Sequence, residues 1–253
     1  MYRVHSPSNK TQPITLLFIP GAFHGDWSFT HFVEFFTSNG FECVTFNFPT
    51  PNKWTPINVY TNHLTQCIAS LNRRIVCIAH SMGSYVLAKY TEKHFIEGAI
   101  LLAPMPLTGW FFSFIKAGWK FPITTLESLI SFDINRFILN DSALKNYFFS
   151  DKYNEHQLVR YRQKLTKESS FALCIETTTR PVNTSKSKNN IGFISVLASN
   201  NDGLFPLNSA RDTAKIYRAN LLVLDDFSHD LMLDPKWTLP ANIVFEEIMK
   251  NTT

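Results

Sequence analysis

The sequence predicts an α/β fold: one mostly parallel central sheet flanked by helices, with a helical insertion. Three observations predict it. Short apolar runs alternate along the chain with helix-length amphipathic segments, the pattern of repeated strand–helix units. The apolar runs show no in-and-out alternation, as expected of parallel strands buried on both faces. The alternation stops between Pro104 and Asn190 in a segment too long for a loop and too apolar to be disordered. With 253 residues, the chain is within reach of one large domain.

Taken in order, Ile14–Ile19 (ITLLFI) is a buried strand by length and residue type. A helix is expected over Trp27–Ser38, with Asp26 as its N-cap and Asn39-Gly40 as its stop. Phe41–Phe48 is the next strand, Asn58–Leu71 a helix, Ile75–Ala79 a strand and Ser81–Lys93 a helix. Gly98–Leu102, Ile191–Leu197 and Leu221–Leu224 complete the strands. A helix near Ser209–Tyr217 separates the last two, and Trp237–Lys250 closes the chain as a helix. Residues 1–103 and 191–253 are expected to form the core, and 104–190 a helical lid or cap continuous with it. The insert is rich in aromatics and is expected over the C-terminal edge of the sheet, where open α/β sheets bind ligands.

Composition excludes several classes. Apolar residues make up 45 % and charged residues 17 %, a globular composition. The net charge of +4 is spread without a long basic run, so nucleic acid is not an expected partner. No pair among Cys43, Cys67, Cys77 and Cys174 has metal-ligand spacing, and buried thiols of a reducing compartment are expected. The first apolar run is too short for a membrane helix and lacks a signal-peptide layout, so the expected location is cytoplasmic.

The stretch IVCIAHSMGSYVLAKY carries the chemistry. A strand that reverses sharply into a helix strains its turn residue and needs small neighbours two positions away. Here the turn residue is Ser81 and the neighbours are Ala79 and Gly83. The turn lifts the serine hydroxyl clear of the sheet at a helix N-terminus, where the Met82 amide faces any oxyanion forming beside it. A serine hydroxyl needs a base, and the base needs an orienting acid. Asp202 lies in the loop after IGFISVL, and His229 follows LLVL, so both emerge at the edge that carries Ser81. Gly21 ends the first core strand in a turn, which makes the Ala22 amide the candidate second oxyanion donor.

At this point the chain resembles the α/β-hydrolase superfamily, through PGAFHGDW at 20–27, AHSMG at 79–83, NDGLFP at 201–206 and SHDLMLD at 228–234. These stretches span almost the whole chain in the family order. They look most like the small esterase, lipase and methylesterase-type members with a lid. The resemblance implies Ser81 as nucleophile, His229 as general base and acid, Asp202 as its orienter, and the Ala22 and Met82 amides as the oxyanion hole. Three departures stand out. Ala79 replaces the first elbow glycine, Pro20 replaces the histidine that often precedes the oxyanion-loop glycine, and the short N-terminal segment implies that the family's first antiparallel strands are reduced to Tyr2–His5.

Each residue also has a plainer reading. Ser81 is a favoured helix N-cap, Asp202 a turn residue in Asn-Asp-Gly, and His229 a surface loop histidine. Asp225 and Asp226 rival Asp202 but precede His229 too closely to reach back easily. Structural roles are expected for His24 and His80, and local turn or helix-start roles for Asp230 and Asp234. The segment Leu107–Phe121 reads as a lid helix whose aromatics line the pocket, or as an interfacial helix touching a membrane surface. Phe23, Leu204, Trp110, Phe111 and Phe114 are the candidate pocket residues. The expected function is cofactor-free hydrolysis of a hydrophobic or aromatic ester, with thioester second, through a Ser81 acyl-enzyme. No metal is expected. The same scaffold also hosts lyases and cofactor-free oxygenases that use the His–Asp pair, as well as non-catalytic binding proteins.

Overall fold

The computed structural model describes residues 2–109, 118–149 and 152–252. Seven strands form one sheet in the order β1-β3-β2-β4-β5-β6-β7. They are β1 (Tyr2–His5), β2 (Thr15–Ile19), β3 (Glu42–Phe46), β4 (Ile75–His80), β5 (Ile96–Leu102), β6 (Ile191–Ser199) and β7 (Asn220–Leu224). Only β1 is antiparallel, pairing Tyr2 with Phe46 along β3; the other five pairings are parallel. The residues of β2, β3 and β4 are all buried, which accounts for their predominantly apolar sequences, and the buried polar pair Thr15 and Glu42 is joined by a hydrogen bond of 3.1 Å. β1, at the sheet edge, is partly exposed.

The strand order contains one switch point that matters. From β2 the sheet grows toward β3, and from β4 it grows toward β5. The loops leaving the C-terminal ends of β2 and β4 therefore part from each other, and a crevice opens between them. Register places Ile19 beside Ala79, so the two loops start side by side.

Helices cover both faces. α1 (Thr30–Ser38) packs with the C-terminal helix Thr238–Thr252. Phe36 of α1 meets Phe18 of β2, Phe41 and Phe245 within an aromatic cluster. On the other face, α2 (Ile57–Leu71) buries Ile57, Tyr60, Leu64, Cys67 and Leu71, a clean helical spacing, and packs with α3 (Met82–Thr91). The helix Leu207–Tyr217 packs on β6 and β7.

The predicted elements lie where expected to within a few residues, with one correction. Asp26 is not an N-cap. The segment opens with a 3₁₀ turn, Asp26–Phe29, whose N-cap Gly25 is extended and makes no side-chain bond. The Asp26 amide is taken by Asn47 Oδ1 at 2.7 Å, and its carboxylate faces Arg3 at 3.4 Å. A side chain from the next loop thus does the capping that Asp26 was expected to do.

Between β5 and β6 the described chain is helical: Pro122–Ser131, Arg136–Leu139, Asp141–Phe148 and Glu155–Arg162, then a π-helical turn Phe171–Glu176 and a short helix Thr184–Asn189. Asn154 caps Glu155–Arg162 through a reciprocal capping box with Gln157. The expected pocket residues Trp110, Phe111 and Phe114 lie outside the described residues, as does most of the Leu107–Phe121 segment. All four cysteines are free thiols, three of them buried. Among the described residues no helix is long and apolar enough to cross a membrane.

Candidate active site

β4 ends at His80, and the next residue turns the chain into α3. Ser81 has φ 49° and ψ −121°, a conformation that L-residues avoid. Its amide donates to Leu102 O at 3.0 Å, anchoring the turn to β5. Its side chain makes no cap hydrogen bond to α3, so Ser81 does not serve as an ordinary helix cap. The turn is tight because two loops meet there backbone to backbone. A Cβ on Gly83 would stand 2.4 Å from Pro20 O and 2.7 Å from Ile19 O. A Cβ on Gly21 would stand 2.8 Å from His80 Nδ1 and 2.9 Å from Ser81 Cβ. Only glycine fits at either position.

The loop after β6 holds Asp202, and the loop after β7 holds His229. His229 Nδ1 lies 2.8 Å from Asp202 Oδ2, with both side chains buried. The carboxylate can only accept, so Nδ1 carries the proton and Nε2 presents a lone pair. Asp202 Oδ1 accepts from the amides of Leu204 at 2.8 Å and Phe205 at 2.9 Å, which fixes the carboxylate in place. The rivals are engaged elsewhere: Asp225 accepts from Asn200 and Asp226 faces Lys152. His229 Nε2 is buried and takes no hydrogen bond from Ser81 or any other described group.

Ser81, Ala22, Phe23, Leu204 and Phe205 line one wall of a narrow apolar cavity of about 30 Å³. The insert supplies the rest of its wall through Ile134, Phe137, Tyr147, Phe148 and Leu173. Phe23 and Leu204, two of the expected pocket residues, are therefore on the cavity wall. Met82 is the first residue of α3, so its amide has no carbonyl partner within the helix. Ala22 sits in the turn closed by His24 N donating to Gly21 O at 3.3 Å.

The residues fit a named family. A model described as alpha/beta hydrolase family matches residues 16–241. The chain belongs to the alpha/beta hydrolase family. No curated protein matches it in sequence. Among solved structures, this alpha/beta hydrolase is similar to a structure from work on carboxylesterases of the thaumarchaeon Nitrososphaera gargenis, with TM-score 0.75 at 15 % identity over 100 % of this chain and 94 % of that one. It is similar to a bromoperoxidase from Bacillus anthracis, with TM-score 0.75 at 14 % identity over 98 % and 94 %. A monoacylglycerol lipase from Paleococcus ferrophilus gives TM-score 0.70 at 14 % identity over 99 % of each chain. At such identities the likeness is one of fold.

Two buried acids of this alpha/beta hydrolase were not anticipated from the sequence. Asp230, expected to be a turn residue, has its carboxylate wholly buried between His24, at 2.9 Å, and His80, at 3.6 Å. Burial alone would raise its pKa, but the surrounding histidines hold it below the ordinary carboxylate value. Burial pushes His24 toward its neutral form; Asp230 and the Ala22 carbonyl outweigh this, and the net shift is upward. His80 goes the other way, lowered to about 3 by burial and by neighbouring His229, so it is neutral. Asp234 does act locally, accepting from Lys236 N at 2.9 Å.

The second acid is Glu168 of the insert. Its carboxyl meets the Tyr60 hydroxyl and accepts from Ser169 N at 2.8 Å and Phe23 N at 3.5 Å. Burial holds it above the ordinary carboxylate range. Thr166 N also donates to Phe23 O at 2.9 Å. Phe23 has φ 67°, so a strained residue of the loop after β2 is clasped by the insert on both sides of its backbone.

The described residues hold one cluster of metal-type ligands, His80, His229 and Asp230, with ligating atoms within 4.8 Å of one another. Existing contacts account for much of it: His80 Nε2 donates to His229 O at 3.2 Å, and Asp230 faces His24.

Proposed function

We propose that this alpha/beta hydrolase is a serine hydrolase that cleaves a carboxylic ester, or a thioester, of a hydrophobic acyl or aromatic substrate. The observation that carries the reading is the 2.8 Å bond from His229 Nδ1 to Asp202, at the sheet edge where the strained Ser81 faces an apolar cavity. His229 Nε2 takes the Ser81 proton as Oγ attacks the substrate carbonyl. The tetrahedral oxyanion forms against the amides of Ala22 and Met82. His229 then returns the proton to the leaving group, the bond to that group breaks, and an acyl-Ser81 ester remains. Water, deprotonated by the same nitrogen, attacks the ester; the bond from the acyl carbon to Ser81 Oγ breaks, His229 returns the proton to Oγ, and the acid leaves. The cycle needs no metal or organic cofactor. Residues 104–190 act as a cap over a core made of 1–103 and 191–253, and contribute the apolar wall that selects the acyl group.

The test is intact-mass measurement after exposure to a small fluorophosphonate, with Ser81→Ala alongside. One adduct on the native protein and none on the variant is the expected result. Folded native protein that takes no adduct, yet turns over substrate through His229 and Asp202, would replace this reading with lyase or oxygenase chemistry.

A further inference from the structure

The hydrolytic scheme leaves unused the buried cluster beside it. His24 lies on the loop that carries Ala22, and Asp230 directly follows His229. We propose that His24 and Asp230 form a buried ion pair that positions the oxyanion loop against the loop bearing the catalytic base. The proposal rests on the serine-hydrolase reading above.

The geometry defines the charge. His24 Nδ1 lies 2.8 Å from Ala22 O, and Nε2 lies 2.9 Å from Asp230 Oδ2. Beside an ionised Asp230, both partners are acceptors, so both ring nitrogens carry protons and the ring is an imidazolium. Trp27 stacks on that ring at 5.4 Å and 29°, an arrangement that favours a cation over an aromatic face. Both side chains of the pair are wholly excluded from solvent.

The placement defines the role. The Nδ1 bond holds the Ala22 carbonyl, and with it the backbone of the residue proposed to donate to the oxyanion. The Nε2 bond ties that loop to the residue after His229. Asp230 N donates to Phe148 O at 3.2 Å, so the same residue also grips the insert where it lines the cavity. His80, next to Ser81, adds the third loop through its bond to His229 O at 3.2 Å. The oxyanion and base loops thus meet at the Asp230 carboxylate, and the nucleophile turn joins the base loop through the His229 carbonyl. A buried ion pair is weak evidence for stability, since apolar packing of the same volume often does as well. Its use here is positional. Displacing a reacting group by about 1 Å can cost on the order of a hundredfold in rate.

The experiment combines ring ¹⁵N spectra of the intact protein, labelled at histidine, with fluorophosphonate labelling rates for the native protein, Asp230→Asn and His24→Asn. The native His24 ring is expected to show both nitrogens protonated at neutral pH and to lose one proton in Asp230→Asn. The labelling rate is expected to fall roughly ten- to a hundredfold in either variant, with KM for an ester little changed, and the double variant to be no slower than the singles. A neutral His24 in the native protein overturns the ion pair. A folded Asp230→Asn that labels at the native rate overturns the positioning role. Should Asp230→Asn fail to fold, His24→Asn and the native ring spectrum decide. Native protein that takes no label at all sinks the hydrolase reading instead, a result distinct from labelled native protein with an unimpaired variant.

Discussion

Asp202 Oδ2 and His229 Nδ1 lie 2.8 Å apart, while Nε2 of the same ring is buried and unbonded. The pair therefore holds the imidazole in the tautomer whose free nitrogen can accept a proton. Asp202 is itself fixed, because its other oxygen already serves the amides of Leu204 and Phe205. The acid cannot swing away from the ring without leaving two amides unsatisfied.

Asp202→Asn tests this division of labour. A side-chain amide has one oxygen. If that oxygen stays with Leu204 and Phe205, the NH₂ faces His229 Nδ1 and forces the proton onto Nε2. Ester hydrolysis is expected to drop roughly a thousandfold or more, with KM little changed, as measured by steady-state kinetics. Retention of most activity would show that the tautomer is set by another group.

Ser81 stores backbone strain, and removing it separates stability from activity. A non-glycine residue in such a region costs on the order of 1–3 kcal/mol. Ser81→Gly is expected to gain about 1 kcal/mol in urea unfolding, and Ser81→Ala is expected to stay close to native, since alanine keeps the Cβ and the strain. Both variants should be inert to fluorophosphonate. Equal stability of the two variants would mean that the turn is relaxed in solution.

How far the sequence reaches is clear from these same residues. Ile14–Ile19, Ile75–Ala79 and Gly98–Leu102 are legible as central strands because strands buried on both faces are predominantly apolar on both. Ser81, Asp202 and His229 could be placed at one edge because each follows such a strand. Asp26 has the residue type and position of a cap, but Asn47, which takes the Asp26 amide, lies on a different loop and leaves no local signal. Asp230 and Glu168 carry no local pattern. Their partners His24 and Phe23 lie more than a hundred positions away, and a buried carboxyl reads like an exposed one until the tertiary contacts exist.

Glu168 gives a third prediction. Its carboxyl serves the Phe23 and Ser169 amides and the Tyr60 hydroxyl, all within a buried setting. Glu168→Ala orphans these groups, at about 1–3 kcal/mol each before relaxation. Urea unfolding is expected to show a loss above about 2 kcal/mol. Because Phe23 follows Ala22 directly, the fluorophosphonate labelling rate should fall as well, and further than in Tyr60→Phe, which leaves the Phe23 bond intact. A variant that is unstable but labels at the native rate would confine Glu168 to the fold.

The ion pair at His24 and Asp230 sets a pH window for stability. His24 is raised above the ordinary 6.5, so its contribution is complete below that value and is lost as pH climbs through the folded-state value. Asp230 is held below the ordinary 3.8, so its contribution is complete above that value and is lost as pH falls through the folded-state value. Around the pair, His80 and His229 face Asp230, and Tyr153 approaches its backbone carbonyl at 3.5 Å. His80 stays neutral throughout this range, its value being about 3. The melting-temperature gap between the native protein and Asp230→Asn should therefore be widest between the two ordinary values and close toward alkaline pH. Calorimetry across that range measures it. A gap that does not change with pH would mean that the pair meets as neutral groups, with its proton shared between ring and carboxyl.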